Sequence, residues 1–246
     1  DPGNPKFGTK NTPRIVGGTT AQCTRMAKIF YSNFLDHVVT VSSTQAAETV
    51  KLLENTFRSV NIGLGNEVAQ MCDRLNLDVW EIIDAAATKP FGFMAFYPGP
   101  GIGGHCIPSD PIYLAWKARV HGFEAKFIQL ADQTNRSMPH HVVDKVTRAL
   151  NARKQALNGA RILLIGLAYK PNVNDTRDSP AFEVAQALRT RDADVAYHDP
   201  HVPTAEFNGA PARSRPLTVP ELKRAHCDVI QTNHAAVDYA HILKHD

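Results

Sequence analysis

From Thr44 to about Arg74 the chain runs without a proline, and Val50, Leu53, Phe57, Val60, Leu64 and Val68 recur three or four residues apart. That spacing predicts one helix of about thirty residues, which at 1.5 Å per residue would extend roughly 45 Å. A helix of that length either bridges two domains or forms a seam between two copies of the chain. With 246 residues, and about 150 residues per domain as a guide, the remainder makes one large or two modest domains around it. A hydrophobic fraction of 43% and a charged fraction of 21% are ordinary for a protein with a real core, which excludes disorder as the main state.

The formal net charge of +3 is too mild and too evenly spread to mark a nucleic-acid partner. The longest apolar run, around Ile162 to Tyr169, is far short of the roughly 20 residues of a membrane span, and no basic-then-apolar leader opens the chain. The expectation is a cytoplasmic enzyme with no membrane partner. Cys23, Cys72, Cys106 and Cys227 are too widely spaced for a disulfide framework, and no Cys-x-x-Cys pair supports zinc. The short pairs His140-His141 and His198-x-x-His201 lack further ligands, so no metal is expected.

The first 14 residues are rich in proline and glycine and read as a loop. A short strand follows at Arg14–Gly18, then a helix capped by Thr20 and running to about Phe34, then a strand at Val38–Val41. Shorter helices are expected at Asp78–Ala87, from about Pro111 to His121, and from Pro139 to near Gln155, with a Gly/Pro-rich loop at Phe91–Pro108. After Gly159 the texture changes. Arg161–Tyr169 reads as a buried parallel strand, Ser179-Pro180 opens a helix to Arg189, Val195–His198 and Asp228–Thr232 are strands, Pro220–Ala225 is a helical turn, and Ala235–Lys244 is a last helix. Alternating strands and helices imply a doubly wound α/β domain from about residue 158. The expected division is 1–44 as the tail of an upstream α/β domain, 45–157 as a central helical region, and 158–246 as the doubly wound domain.

Chemistry concentrates in Tyr97-Pro-Gly-Pro-Gly-Ile-Gly-Gly-His-Cys-Ile-Pro-Ser-Asp110. A loop this rich in glycine lets backbone approach a ligand closely and turns N–H groups toward an anion. Cys106, directly after it, stands where a covalent thiol mechanism would need it; a tight turn with an inert cysteine explains the pattern equally. Asp110, four residues on, either orients a group near the thiol or caps the next helix. Lys51 and Asn55 are one turn apart on the long helix, able to stabilise an alkoxide together, or simply lying on a solvated stripe. Glu54 is placed on a different azimuth. Lys170 and Arg177 follow the Arg161–Tyr169 strand at the sheet edge where ligands bind, and two cations there suit a diphosphate. Asp199, after the next strand, reads as structural.

Taken together, Lys51-Leu-Leu-Glu-Asn55, Gly101-Ile-Gly-Gly-His-Cys106 with Asp110, and Gly166-Leu-Ala-Tyr-Lys-Pro-x5-Arg177 resemble the UDP-glucose/GDP-mannose dehydrogenase family in order and spacing along nearly the whole chain. Lys89–Gly101 looks most like the branch acting on UDP-N-acetylglucosamine or its galacto epimer. The resemblance implies oxidation of the sugar C6 hydroxyl to the acid in two steps with NAD. Cys106 would form the thiohemiacetal and thioester, Lys51 and Asn55 would stabilise the oxyanion, and Asp110 would help place water. Tyr97, Pro98, Gly99, Gly101 and Gly103 would line the sugar-nucleotide pocket, with Lys170 at the UDP-sugar and Arg177 at the NAD pyrophosphate. A homodimer through the long helix is also implied.

The sequence departs from that family in lacking the N-terminal NAD-binding domain that carries its Gly-x-Gly-x-x-Gly turn, and in having no upstream acid or threonine. The expectation is therefore a fragment, inactive alone, that lacks most of the NAD-binding domain and a closing strand. Other expectations remain open: a UDP-glucose or UDP-N-acetylmannosamine dehydrogenase, a nucleotide-sugar-binding module without catalysis, or a Cys-dependent acyl transferase.

Overall fold

The computed structural model describes residues 6–245. Of the loop expected at the start, residues 1–5 lie outside the described residues, and residues 6–13 form neither helix nor strand. The chain divides into two compact units, one ending at Arg58 and the other beginning at Ser59.

The first unit is a βαβ element followed by the start of a long helix. Strand β1 (Arg14–Val16) pairs in parallel with β2 (Val38–Thr40), and helix α1 (Ala21–Ser32) connects them. Thr20 caps α1 as expected, its hydroxyl accepting from the Cys23 N–H. Gly17 must be glycine, because a Cβ there would lie 2.1 Å from the Ser43 carbonyl oxygen. Helix α1 buries no residue, and Met26, Ile29, Phe30 and Phe34 remain exposed. The long helix α2 spans Thr44–Leu75, close to the predicted bounds. Its buried face is not the apolar stripe, however. Asn55, Ser59, Asn66 and Cys72 are buried, while Leu53, Phe57, Leu64, Met71 and Leu75 face solvent.

In the second unit, α2 is followed by α3 (Val79–Ala87), α4 (Cys106–Val120) and α5 (Lys126–Ala152). Two of these helices start earlier than the sequence suggested, both because of proline. Pro108 and Pro111 lie in the opening turns of α4, where Pro108 forfeits an N–H that has no intrahelical partner anyway. Pro139 was expected at a helix start but sits inside α5. It removes the donor that would bond the Asn135 carbonyl.

Beyond α5 comes a parallel three-stranded sheet ordered β4-β3-β7, made of β3 (Arg161–Ile165), β4 (Asp194–His198) and β7 (Cys227–Ile230). Helix α6 (Pro180–Arg189) and the second half of α5 cover one face, where Val143, Val146, Leu150, Val184 and Leu188 meet Ile162, Leu164 and Val195. On the other face α7 (Val219–Arg224) and α8 (Tyr239–His245) place Leu222 and Ile242 on Leu163 and Ile165. Burial of each such side chain contributes about 1.5–3 kcal/mol. The doubly wound α/β architecture expected from residue 158 is therefore present. Helix α8 starts at Tyr239 rather than Ala235. An antiparallel hairpin, β5 (Thr204–Phe207) and β6 (Ala210–Arg213), was not anticipated. It turns through Asn208-Gly209, both at positive φ, the turn chemistry that two-residue hairpins favour. Among the described residues no helix is long and apolar enough to cross a membrane.

Candidate active site

The glycine loop is held by close contact with the sheet domain. A Cβ on Gly103 would lie 2.6 Å from Tyr169 Cβ and 2.9 Å from the Asp178 carbonyl oxygen. Gly104, at φ +86°, lies under the Tyr169 ring, and its N–H donates to the Arg177 carbonyl at 2.9 Å. Gly101, at φ +133°, faces Pro180 and the Asn135 carbonyl that Pro139 leaves without its helical donor. The glycines therefore bring the loop into backbone contact with the β3–α6 connection, the sheet edge at which ligands bind in open α/β folds.

A chain of buried amides fixes the loop from the other side. The Gly99 N–H donates to Asn66 Oδ1 at 2.9 Å, Asn66 Nδ2 donates to Asn135 Oδ1 at 2.9 Å, and Asn135 Nδ2 donates to the Ser59 carbonyl at 3.2 Å. Both asparagines are buried, so every link replaces a lost contact with water. The sequence reading missed these two residues. A polar residue interrupting each helical stripe was the available signal. Tyr97 donates to Asp84 Oδ1 at 2.7 Å and stacks on Trp80 at 5.6 Å between centroids. The Asp84 bond raises the Tyr97 phenol above its ordinary value. Tyr97, Pro98 and Gly99 line a cavity of about 750 Å³, whereas Gly101 lines a separate one of about 450 Å³ with Ile102 and Asn135.

Cys106 is exposed and is the first residue of α4. Its thiol is therefore at the end of a helix whose first N–H groups have no intrahelical acceptor. His105 Nδ1 is 3.8 Å from its sulfur. Asp110 lies one turn on along the same face of α4. The capping role is excluded for it, because the helix has already begun. Arg177 lies near enough for Cys106 to act on it electrostatically, but its guanidinium is bound first by Asp175, with Nη2 to Oδ2 at 2.6 Å. That pairing raises the guanidinium and lowers the Asp175 carboxyl. Lys170 Nζ sits 5.8 Å from the Tyr169 ring centroid. Gly103, Cys106, Lys170 and Arg177 thus gather around Tyr169 and the loop beyond β3.

Lys51 and Asn55 belong to the first unit, one turn apart on α2. Asn55 is fully buried and accepts from the Arg58 guanidinium. Lys51 pairs with Glu54 at 3.5 Å. This corrects the reading that set Glu54 on a different azimuth, since residues three apart on a helix are neighbours. The exposed pair adds little stability.

Asp199 proves structural in an extended way. Its buried carboxylate accepts from the backbone N–H groups of Leu167, Ala168, His201 and Val202 at 2.7–3.1 Å. It also contacts His234 Nε2 at 3.1 Å. Because His234 Nδ1 accepts from the Asn172 N–H at 3.0 Å, the His234 proton sits on Nε2 and is donated to Asp199. Among the described residues no group of three or more His, Cys, Asp or Glu side chains is placed to hold a metal ion.

The family model for the UDP-glucose/GDP-mannose dehydrogenase family, central domain, matches residues 45–137, and the UDP binding domain of the same family matches residues 163–245. The UDP-N-acetyl-D-mannosamine dehydrogenase of Methanococcus maripaludis is 36% identical over 235 residues, covering 95% of this chain and 51% of the relative. The NDP-N-acetyl-D-galactosaminuronic acid dehydrogenase of Ralstonia nicotianae is 36% identical over 190 residues, 77% of this chain and 43% of the relative. Among solved structures, the UDP-D-ManNAc dehydrogenase from Pyrococcus horikoshii superposes with a TM-score of 0.84 at 32% identity, covering 96% of this chain and 54% of that one. The chain spans about half the length of the curated relatives it matches. On these two domain matches, in the same order as the glycine loop and the sheet edge it packs against, the chain belongs to the UDP-glucose/GDP-mannose dehydrogenase family.

Proposed function

We propose that this chain supplies the sugar-nucleotide half of a dehydrogenase that oxidises the C6 hydroxyl of a UDP-N-acetylhexosamine to the uronic acid. The observation that supports it most directly is the exposed thiol of Cys106 at the start of α4, next to a glycine loop seated on the sheet's ligand edge. In this reading the thiol adds to the C6 aldehyde formed by the first oxidation, giving a thiohemiacetal. Loss of a hydride from that carbon leaves a thioester, and water releases the acid and restores the thiol. Asp110 would orient the water, Lys51 and Asn55 would stabilise the oxyanion, and Lys170 would meet the diphosphate. The relatives' names favour a manno or galacto sugar, whereas the loop was read as gluco or its galacto epimer.

NAD is the proposed hydride acceptor. The described residues do not by themselves fit a dinucleotide: β1 and β2 make only a two-stranded ladder, the Gly-x-Gly-x-x-Gly spacing at Gly99–Gly104 follows no strand and so lacks the strand–turn–helix setting of a dinucleotide site, and Arg177 is engaged by Asp175. This chain's own contribution is the thiol, the glycine cradle and the lysines.

The test combines calorimetric titration with UDP-N-acetylmannosamine, UDP-N-acetylglucosamine and UDP-glucose with alkylation of the thiols, read by mass spectrometry. A bound acetylated sugar nucleotide is expected to slow iodoacetamide labelling of Cys106 by about tenfold or more. Cys23 is an internal control, exposed and with its thiol lowered by the Thr20 and Thr19 hydroxyls; its labelling should not change. Binding of none of the three, with Cys106 labelled at one rate throughout, would sink the proposal.

A second copy of the chain is the proposed partner. Leu64, Met71 and Leu75 on α2 are exposed, as are Trp116 and Val120 on α4 and Phe123, Phe127 and Leu130 around the start of α5. Leu64 and Met71 are seven residues apart, the repeat of a helix–helix seam, and so many large apolar side chains exceed the scattered exposure of a monomer surface. Light scattering should find a dimer, and Met71→Glu with Trp116→Glu should give a monomer of unchanged helix content. A monomeric parent chain would overturn this.

A further inference from the structure

Gln231, just past the end of β7, is among the described residues one of the buried polar side chains left without a hydrogen-bond partner. Its backbone N–H donates to the Ile165 carbonyl at 2.8 Å. The residue is nine-tenths buried, yet neither Oε1 nor Nε2 has a hydrogen-bond partner among the described residues. An unpaired buried amide is costly, and a leucine of similar size would avoid that cost. Gln231 also lines the cavity of about 750 Å³ whose other walls include Pro98, Gly99 and the stacked rings of Trp80 and Tyr97. The cavity reaches the carboxyl end of β7 through Ile230 and Gln231, at the edge where open α/β sheets take ligands.

A carboxamide holds a donor and an acceptor side by side in one plane. That is why glutamine pairs two-pronged with a base edge that offers the complementary pair. The imide edge of uracil, with O4 beside N3–H, is such an edge, and flat apolar walls suit the faces of a pyrimidine ring. We infer that Gln231 is the residue that reads the base of the sugar nucleotide, its amide pairing with the uracil imide; this rests on the UDP-sugar reading above. Both amide atoms are closed off from water, so pairing requires the side chain to turn into the cavity. The base edge would then supply the partners that the amide lacks, and a base without the imide proton would not.

The experiment titrates the 246-residue chain with UDP and with N3-methyl-UDP, alongside Gln231→Leu and, should that variant fail to fold, Gln231→Met. The parent chain is expected to bind UDP about tenfold or more tightly than N3-methyl-UDP, from the loss of one paired edge. In Gln231→Leu the affinity for UDP should fall to the level of the methylated ligand and the discrimination should vanish, while the melting temperature holds or rises. A parent chain that binds UDP without penalising the methyl group, or a variant that keeps both affinity and discrimination, overturns the role of Gln231 and leaves the UDP-sugar reading standing. A parent chain that binds neither UDP nor any UDP-sugar overturns both.

Discussion

Asp199→Ala is expected to destabilise the second unit by about 4 kcal/mol, because it strands buried donors rather than merely deleting a contact. Four backbone N–H groups and His234 Nε2 lose their acceptor at once, and two of them, from Leu167 and Ala168, shape the turn leading to Lys170. For a unit of this size the melting temperature should drop by about 10 °C or more. A change within experimental error would mean that water takes over the carboxylate's role. The same pair sets a pH dependence. Burial lowers the His234 imidazole below its ordinary value, against the opposing pull of Asp199. Burial also pushes the Asp199 carboxyl up, but the N–H groups of Ala168, His201 and Leu167 and the charge of His234 together leave it below the ordinary value. Both groups are lower in the folded than in the unfolded chain, so both stabilise at high pH and lose that contribution as protons bind. Melting temperature should fall below about pH 6.5, where the unfolded chain's imidazoles take up protons that the buried His234 and His141 resist, and fall again below about pH 4. A profile flat down to pH 5 would contradict this account of His234.

Gly103→Ala is expected to weaken sugar-nucleotide binding by about a hundredfold, the scale on which misplacement by an ångström disables a site. The added methyl would press within 2.6 Å of Tyr169 Cβ and 2.9 Å of the Asp178 carbonyl. Neither neighbour is the far end of a flexible side chain, so the loop itself must lift from the β3–α6 connection and carry Cys106 with it. The fold should survive, since the loop is not part of either hydrophobic cluster. Calorimetric titration of the variant, with a thermal melt as control, distinguishes the two effects. Unaltered affinity would show that the loop's seat on Tyr169 does not matter to the ligand.

What could be read from the chain alone followed the strength of local signals. Arg161–Ile165 and the Ser179-Pro180 helix start are unambiguous because burial and capping act within a few residues of sequence. Asn208-Gly209 is an equally local signal, for a hairpin. Pro139 misled for a physical reason: proline is a good first helical residue and a poor interior one, and only the packing of Gly101 against the Asn135 carbonyl shows why the interior position is accepted. The apolar stripe of α2 located the helix correctly but not its buried side, since Asn55, Ser59 and Asn66 are turned inward and the leucines outward. In the site, the glycines and Cys106 announce themselves by composition. The amide chain through Asn66 and Asn135 joins positions 69 residues apart, and no periodicity reports a partnership at that range.

Helix α5 has a consequence for how the second unit comes apart. Before Pro139 its buried residues, Ile128, Ala131 and Asn135, belong to the helical region; after it, Val143, Val146 and Leu150 belong to the sheet's core. A single rod is thus a shared wall of both, with the proline at the change of duty. Neither region can melt and leave the other whole, because each would take half of its neighbour's wall with it. The helical region from Ser59 onward and the sheet domain therefore behave as one foldon, losing their structure in concert rather than in sequence.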